Sequence, residues 1–199
     1  MSLFSDAIAF AVSMHDGAVR KGTSIPYIVH PMEAAAIAAT LTDDQEVLAA
    51  AVLHDVIEDC GVSAEALAAR FGQRVAAIVL AESQSKHGDP HESWNRRKQE
   101  AVSRLARADR AQKIVALSDK LSNMRAICRD YARDGEALFF RFHQHDKRRH
   151  AWYYRSCAAL LEGELGDTDA WRELAALIDR VFAGVPCPEE GKEEEACAV

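Results

Sequence analysis

LHDVIEDC, residues 53–60, sets His54 beside Asp55 and, one helical turn later, Glu58 beside Asp59, in a segment that is otherwise apolar. At about 100° per residue, a single helix through this stretch brings the four groups within roughly 140° of one face, so they converge on one cavity. Three acids and a histidine crowded there repel and desolvate one another unless a cation compensates them. A solvated polar stripe is the plainer alternative. Against it, Ala49 to Leu53 lead in as an apolar run, and Val56 and Ile57 separate the two pairs.

Adjacent His and Asp offer a neutral nitrogen and an anionic oxygen, a mixture suited to Mn²⁺, Fe²⁺ or Zn²⁺ rather than Ca²⁺. Two more ligands are needed from elsewhere. His30 closes the loop RKGTSIPYIVH, residues 20–30, and Asp119 interrupts the apolar helix IVALSDKLSNMRAI, residues 114–127. Either alone reads as a cap or a salt-bridge partner; together with the His54–Asp55 pair they form a specific four-ligand pattern.

Outward from these residues, apolar positions recur at three- and four-residue spacing, with no alternating β-branched runs, and predict an all-α fold. About ten helices are expected, at roughly 3–19, 31–41, 44–59, 63–70, 72–83, 92–107, 110–131, 134–142, 145–163 and 168–184. Asp43, Ser63 and Pro31 mark helix starts. The polar stretch ESQSKHGDPHES, residues 82–93, reads as a surface excursion.

The 199 residues, 49% of them hydrophobic, suit one domain over 1–185, followed by an acidic tail, 186–199, expected to be disordered. A formal net charge of −7 argues against nucleic acid as a partner. No apolar run of about 18 residues is present for a membrane span, and no basic start or cleavage site for secretion, so the expected location is the cytoplasm. Five scattered cysteines without CxxC spacing argue against a disulfide framework or a thiolate zinc site.

The H…HD…D pattern is that of the HD phosphohydrolase superfamily. RKGTSIPYIVHPMEAAAIAATL, AAAVLHDVIEDCGVSAEALAARFGQRVAAIV and VALSDKLSNMRAI further resemble the hydrolase domain of the stringent-response RelA/SpoT enzymes, over about residues 8–160. The resemblance implies an HD-domain helical bundle and a stand-alone small alarmone hydrolase. It implies that His30, His54, Asp55 and Asp119 hold one divalent metal, usually Mn²⁺, with Fe²⁺, Zn²⁺ or Co²⁺ as alternatives. Glu58 and Asp59 match the family's catalytic acids, which orient and deprotonate the attacking water.

Arg20 resembles the residue that packs on the base, Lys21 one that contacts phosphates, and Asn123 one near the ribose. Arg125 is assigned either to the substrate or to bracing its helix. Tyr153 and Tyr154, in WYYR, are assigned to the pocket or to the core, while ESWNRRKQ, residues 92–99, reads as structural. Gly22 and Ala126 stand where the bifunctional relatives typically have serine and threonine, which leaves guanosine and adenosine alarmones equally admissible.

The implied reaction is removal of the 3′-pyrophosphate of (p)ppGpp or (p)ppApp. The alternatives are another HD nucleotide phosphohydrolase (nucleotidase, dNTPase or NADPH phosphatase) and a non-catalytic nucleotide-binding module. The partner expected is a small nucleotide, with a homodimer left open.

Overall fold

Val47 through Leu53 are all buried, so α3 (Gln45–Leu53) is apolar around its circumference and serves as a central helix. A computed structural model describes residues 2–83 and 90–188, with the backbone alone at 90–93. Around α3 pack α1 (Leu3–Met14), α2 (Val29–Ala38), α6 (Gln73–Glu82) and the 25-residue α8 (Arg110–Asp134). Short α4 (Val56–Cys60) continues the line of α3, and α5 (Ala64–Phe71) pairs with α6. The remaining elements are α7 (Pro90–Leu105), a 3-10 helix (Gly135–Arg141), α9 (Lys147–Leu165) and α10 (Asp169–Phe182), with α8 touching α10, α9, α7 and the 3-10 turn. The fold is all-α. An isolated antiparallel bridge between Val19 and Pro26 is the one β-type pairing among the described residues.

Side-chain caps set several boundaries. Asp109 and Gln112 form a reciprocal capping box at the start of α8, and the Ser63 hydroxyl accepts from the Ala66 N–H at the start of α5. At α3 the capping carboxylate belongs to Asp44, which accepts from the Glu46 N–H, and not to Asp43. α2 begins two residues before Pro31, which still falls in its first turn.

The sequence expectation of one helix over 44–59 is corrected: it breaks at His54–Asp55 into α3 and α4. The His54 ring donates from Nδ1 to the Ala51 carbonyl at 2.8 Å, the acceptor that an unbroken helix would offer to the Asp55 N–H. Gly61, at φ 69°, closes α4 in the left-handed conformation that other residues adopt at a cost.

Three further boundaries differ. α1 ends at Met14 rather than 19, where His15 turns inward and is buried. The 134–142 segment is a 3-10 helix, and α7 begins at Pro90, inside the expected surface excursion. The rest of that excursion, 84–89, and the tail from 189 lie outside the described residues. No described helix is long and apolar enough to cross a membrane.

Candidate metal centre and active site

The loop between α1 and α2 is closed by the Val19–Pro26 bridge and by hydrogen bonds from the Arg20 N–H to the Ile25 carbonyl and from the Tyr27 N–H to the Ala18 carbonyl, both 2.8 Å. It fixes Arg20 and Tyr27 over the break between α3 and α4, while α2 brings His30 and α8 brings Asp119 from the opposite side.

The four expected ligands meet. Nε2 of His30 and Nε2 of His54 are 3.2 Å apart. Asp55 Oδ2 lies 3.1 Å from His54 Nε2 and 3.5 Å from His30 Nε2; Asp119 Oδ1 lies 3.1 Å from His30 Nε2 and 3.6 Å from His54 Nε2. Both histidines are buried, at 4% and 3% exposed.

The other nitrogen of each ring decides what this cluster needs. His54 Nδ1 donates to the Ala51 carbonyl. His30 Nδ1 lies 2.8 Å from Ser122 Oγ, whose own proton goes to Glu33 Oε2 at 2.7 Å, so His30 also donates from Nδ1. In the neutral tautomers, two bare Nε2 lone pairs therefore face each other among carboxylate oxygens. A divalent cation satisfies that arrangement, and the N₂O₂ donor set fits a borderline metal.

Burial disfavours the His54 imidazolium, but the carboxylates of Asp55 and Asp119 overcome that effect and raise its pKa well above the usual range. Burial works against the Asp55 and Asp119 carboxylates too. His54 and His30 nonetheless hold Asp55 below its ordinary value, and Lys120 and the histidines do the same for Asp119.

Both carboxylates are held by neighbours outside the cluster. Tyr27 donates its hydroxyl to Asp55 Oδ2 at 2.7 Å, and burial with the Asp55 and Asp59 charges pushes the phenol pKa far up, so it stays a donor. Asp119 Oδ2 accepts from Lys120 at 2.8 Å, Lys120 also reaches Glu82 at 3.0 Å, and Asp119 Oδ1 accepts from Asn123 at 2.6 Å.

Two cavities adjoin here. One of about 140 Å³ contains the ligands and is lined by Glu58, Lys120 and Glu82. Another of about 270 Å³ is lined by Arg20, Lys21, Trp94, Arg129, Arg141 and Phe142 among others. Tyr27, Lys98, Asn123, Tyr153 and Tyr154 belong to both walls. Lys98 Nζ sits 4.5 Å from the Tyr153 ring centroid; burial and the Lys120 charge hold its pKa below the usual lysine range.

Most of the expected substrate residues lie where the sequence put them. Arg20 donates to Asn123 Oδ1 at 2.9 Å, and its guanidinium lies 5.8 Å from the Tyr27 ring centroid. Lys21 is exposed on the rim. Tyr153 and Tyr154 are buried side chains that also line the cavity, so the pocket and core readings both describe them.

The acidic pair divides. Glu58 lines the metal cavity, whereas Asp59 is exposed and bears on Tyr27. Arg125 lines neither cavity: it makes a two-pronged pair with Glu173 on α10, at 2.7 Å on each prong, and reaches Glu33 at 3.0 Å. These contacts are those of a brace between α8, α10 and α2.

Sequence reasoning missed Tyr27, Lys98 and Trp94. Lys98 and Trp94 sit in ESWNRRKQ, read as structural, where the signal available was a lysine four residues after a tryptophan on one helical face. Gly22, at φ 71°, allows the Arg141 side chain to pass where a β-carbon would approach Arg141 Cδ to 2.9 Å.

Known proteins place this arrangement in a family. A model of the HD domain matches residues 7–145. The chain is 38% identical over 116 residues to a guanosine-3′,5′-bis(diphosphate) 3′-pyrophosphohydrolase of Vibrio cholerae, covering 57% of this chain and 16% of that protein. Against the protein of the same name from Aquifex aeolicus it is 35% identical over 122 residues, 61% of this chain and 17% of the relative. It thus spans about a sixth of the length of these curated relatives.

Among solved structures, a metazoan SpoT ortholog described as hydrolysing ppGpp superposes with a TM-score of 0.71 at 23% identity, over 90% of this chain and 96% of that one. The Listeria monocytogenes protein lmo0812 does so with a TM-score of 0.68 at 25% identity, over 80% and 98%. All four converging ligands fall inside the span matched by the family model, and the chain belongs to the HD-domain family.

Proposed function

We propose that the protein hydrolyses the 3′-pyrophosphate of an alarmone nucleotide, (p)ppGpp or (p)ppApp. The observation that carries this reading is the junction of the two cavities: a buried two-histidine, two-carboxylate cluster shares Tyr27, Lys98, Asn123, Tyr153 and Tyr154 with a cationic, aromatic-lined cavity. Aromatic faces and guanidinium groups suit a base, and ammonium groups suit phosphates. Relatives named for this reaction match 57% and 61% of this chain.

The metal proposed for His30, His54, Asp55 and Asp119 is Mn²⁺; a divalent ion there supplies Lewis acidity toward water and the scissile phosphate. Glu58, on the wall of the metal cavity, is positioned to take the proton of the attacking water, and Asp59 acts on the Tyr27 side of the site. Water adds to phosphorus, the bond to the ribose 3′ oxygen breaks, that oxygen gains a proton, and pyrophosphate leaves. Lys98, at the junction, faces the charge on the departing group. Arg20 and Asn123 hold the nucleoside, and Lys21 meets phosphate at the rim.

Ala126 and Gly22 line or shape the cavity where bulkier polar residues would add hydrogen bonds, which supports testing adenosine beside guanosine substrates. Cys128 and Cys157 are free thiols, which suits the reducing cytoplasm proposed as its location. The test is pyrophosphate release by Mn²⁺-loaded protein from ppGpp, ppApp and NADPH in parallel, with Asp55→Ala as control. Turnover of a 3′-pyrophosphorylated nucleotide that the control lacks supports the proposal. Phosphate release from NADPH alone replaces it with a phosphatase.

A further inference from the structure

The hydrogen bonds leading away from His30 run in one direction. His30 Nδ1 is 2.8 Å from Ser122 Oγ, Ser122 Oγ is 2.7 Å from Glu33 Oε2, and Glu33 Oε1 is 3.0 Å from Arg125 Nη1, while Arg125 Nε and Nη2 each donate at 2.7 Å to one oxygen of Glu173. Arginine can only donate and a carboxylate can only accept. Glu33 therefore takes the Ser122 proton, Ser122 must accept from His30, and Nδ1 must be the protonated nitrogen. The reversed orientation would set two oxygen lone pairs against each other at 2.7 Å.

Nothing about the helix requires Ser122 to behave this way. One turn earlier on α8, Ser118 donates to the Ile114 carbonyl four residues back, the usual local resting place of a helical serine. Ser122, 1% exposed, instead reaches across to α2, to a glutamate 89 positions away.

We infer that Ser122 and Glu33, held by Arg125 and Glu173, form a relay that positions His30 as a metal ligand. The relay locks the tautomer that aims the Nε2 lone pair into the cluster, and its carboxylate end makes that nitrogen a stronger donor. Neither residue touches the metal or the substrate, so both are positioning residues. The inference rests on the metal reading proposed above and adds to it the groups that hold the His30 ring in its ligating tautomer and orientation.

The test measures Mn²⁺ affinity of the full chain by competition with a chromophoric chelator, alongside the melting temperature of the metal-free protein. Ser122→Ala should weaken Mn²⁺ binding about 10- to 100-fold, the range for such outer partners. Glu33→Gln, partly exposed and still able to accept from Ser122, should fall between that variant and wild type. Leu67→Ala, a buried core change on α5, should lower the metal-free melting temperature without reproducing the loss of affinity.

Mn²⁺ affinities within twofold of wild type for both relay variants would overturn the inference. So would a loss in step with melting temperature across all three variants, since that is what a structural contact gives. A chain with the expected affinity ranking that cleaves no alarmone would sink the substrate proposal and leave the relay standing.

Discussion

The hydroxyl of Tyr27 donates to Oδ2 of Asp55 across 2.7 Å, so the loop that carries Arg20 also holds a carboxylate of the proposed metal site in place. Tyr27→Phe keeps the ring and removes only that donor. Mn²⁺ affinity should fall about 10-fold or more, with the protein still folded. Chelator competition against the wild type reads the change directly.

Glu58 and Asp59 are adjacent in sequence and unequal in place. Glu58→Gln should lower kcat about 10²- to 10⁴-fold while metal content, measured by elemental analysis, stays at the wild-type level. Asp59→Asn should cost much less, because Asp59 acts through Tyr27 rather than from the cavity wall. Equal losses in the two variants would refute this division of labour.

Lys98 lies on the shared wall of both cavities. Lys98→Met should lower kcat/KM for a pyrophosphorylated nucleotide about 10- to 100-fold, the weight of one charge-assisted contact, and leave Mn²⁺ affinity intact. Steady-state kinetics at saturating metal separates the two effects.

Gly22→Ser restores the residue typical of the bifunctional relatives but places a β-carbon against Arg141 at a positive φ. Thermal unfolding should show a loss of about 1 kcal/mol from the backbone alone, and KM should rise as Arg141 is displaced from the rim. An unchanged KM would show that Arg141 has no part in binding.

His150 is buried against Trp94, Phe139 and Phe142, and its ring donates to the Gln144 carbonyl at 2.8 Å. Burial lowers its pKa to about 4. The unfolded chain, with a pKa of about 6.5, then binds a proton that the folded chain refuses, so this contribution is complete above about pH 6.5 and shrinks as pH falls toward 4. Between pH 7.5 and 5 the site should cost about 2 kcal/mol of stability, and His150→Phe should lose that part of the slope in urea unfolding.

The helical class was legible from the apolar periodicity, and the convergence of His54, Asp55 and Asp119 from their place in apolar helical segments, where a charged or imidazole group needs a reason; His30, at the end of a loop, was legible only in company with them. The break at His54–Asp55 was not, since the competition between the His54 ring and the backbone for the Ala51 carbonyl leaves no trace in spacing. Glu33 and Ser122 look in sequence like an ordinary surface glutamate and a small helical residue; only the packing of α2 against α8 gives them a task. Arg125 was ambiguous for the same reason, its partner Glu173 being 48 positions away. Lys98 and Trp94 sit on a polar helix whose periodicity marks which face is buried and says nothing about what that face meets.

The shared wall between the two cavities has a consequence for how this protein can change over time. The proposed ligand cluster is drawn from α2, the α3–α4 break and α8, with both histidines buried in the interior. The outer cavity shares α8 with that cluster but draws also on α7, the 3-10 turn, α9 and the 20–30 loop, several of whose side chains are exposed at the rim. On the proposed reading, drift in that outer layer can retune which phosphate ester is admitted while the inner layer keeps the same chemistry, so new substrates are reached without passing through an inactive ancestor.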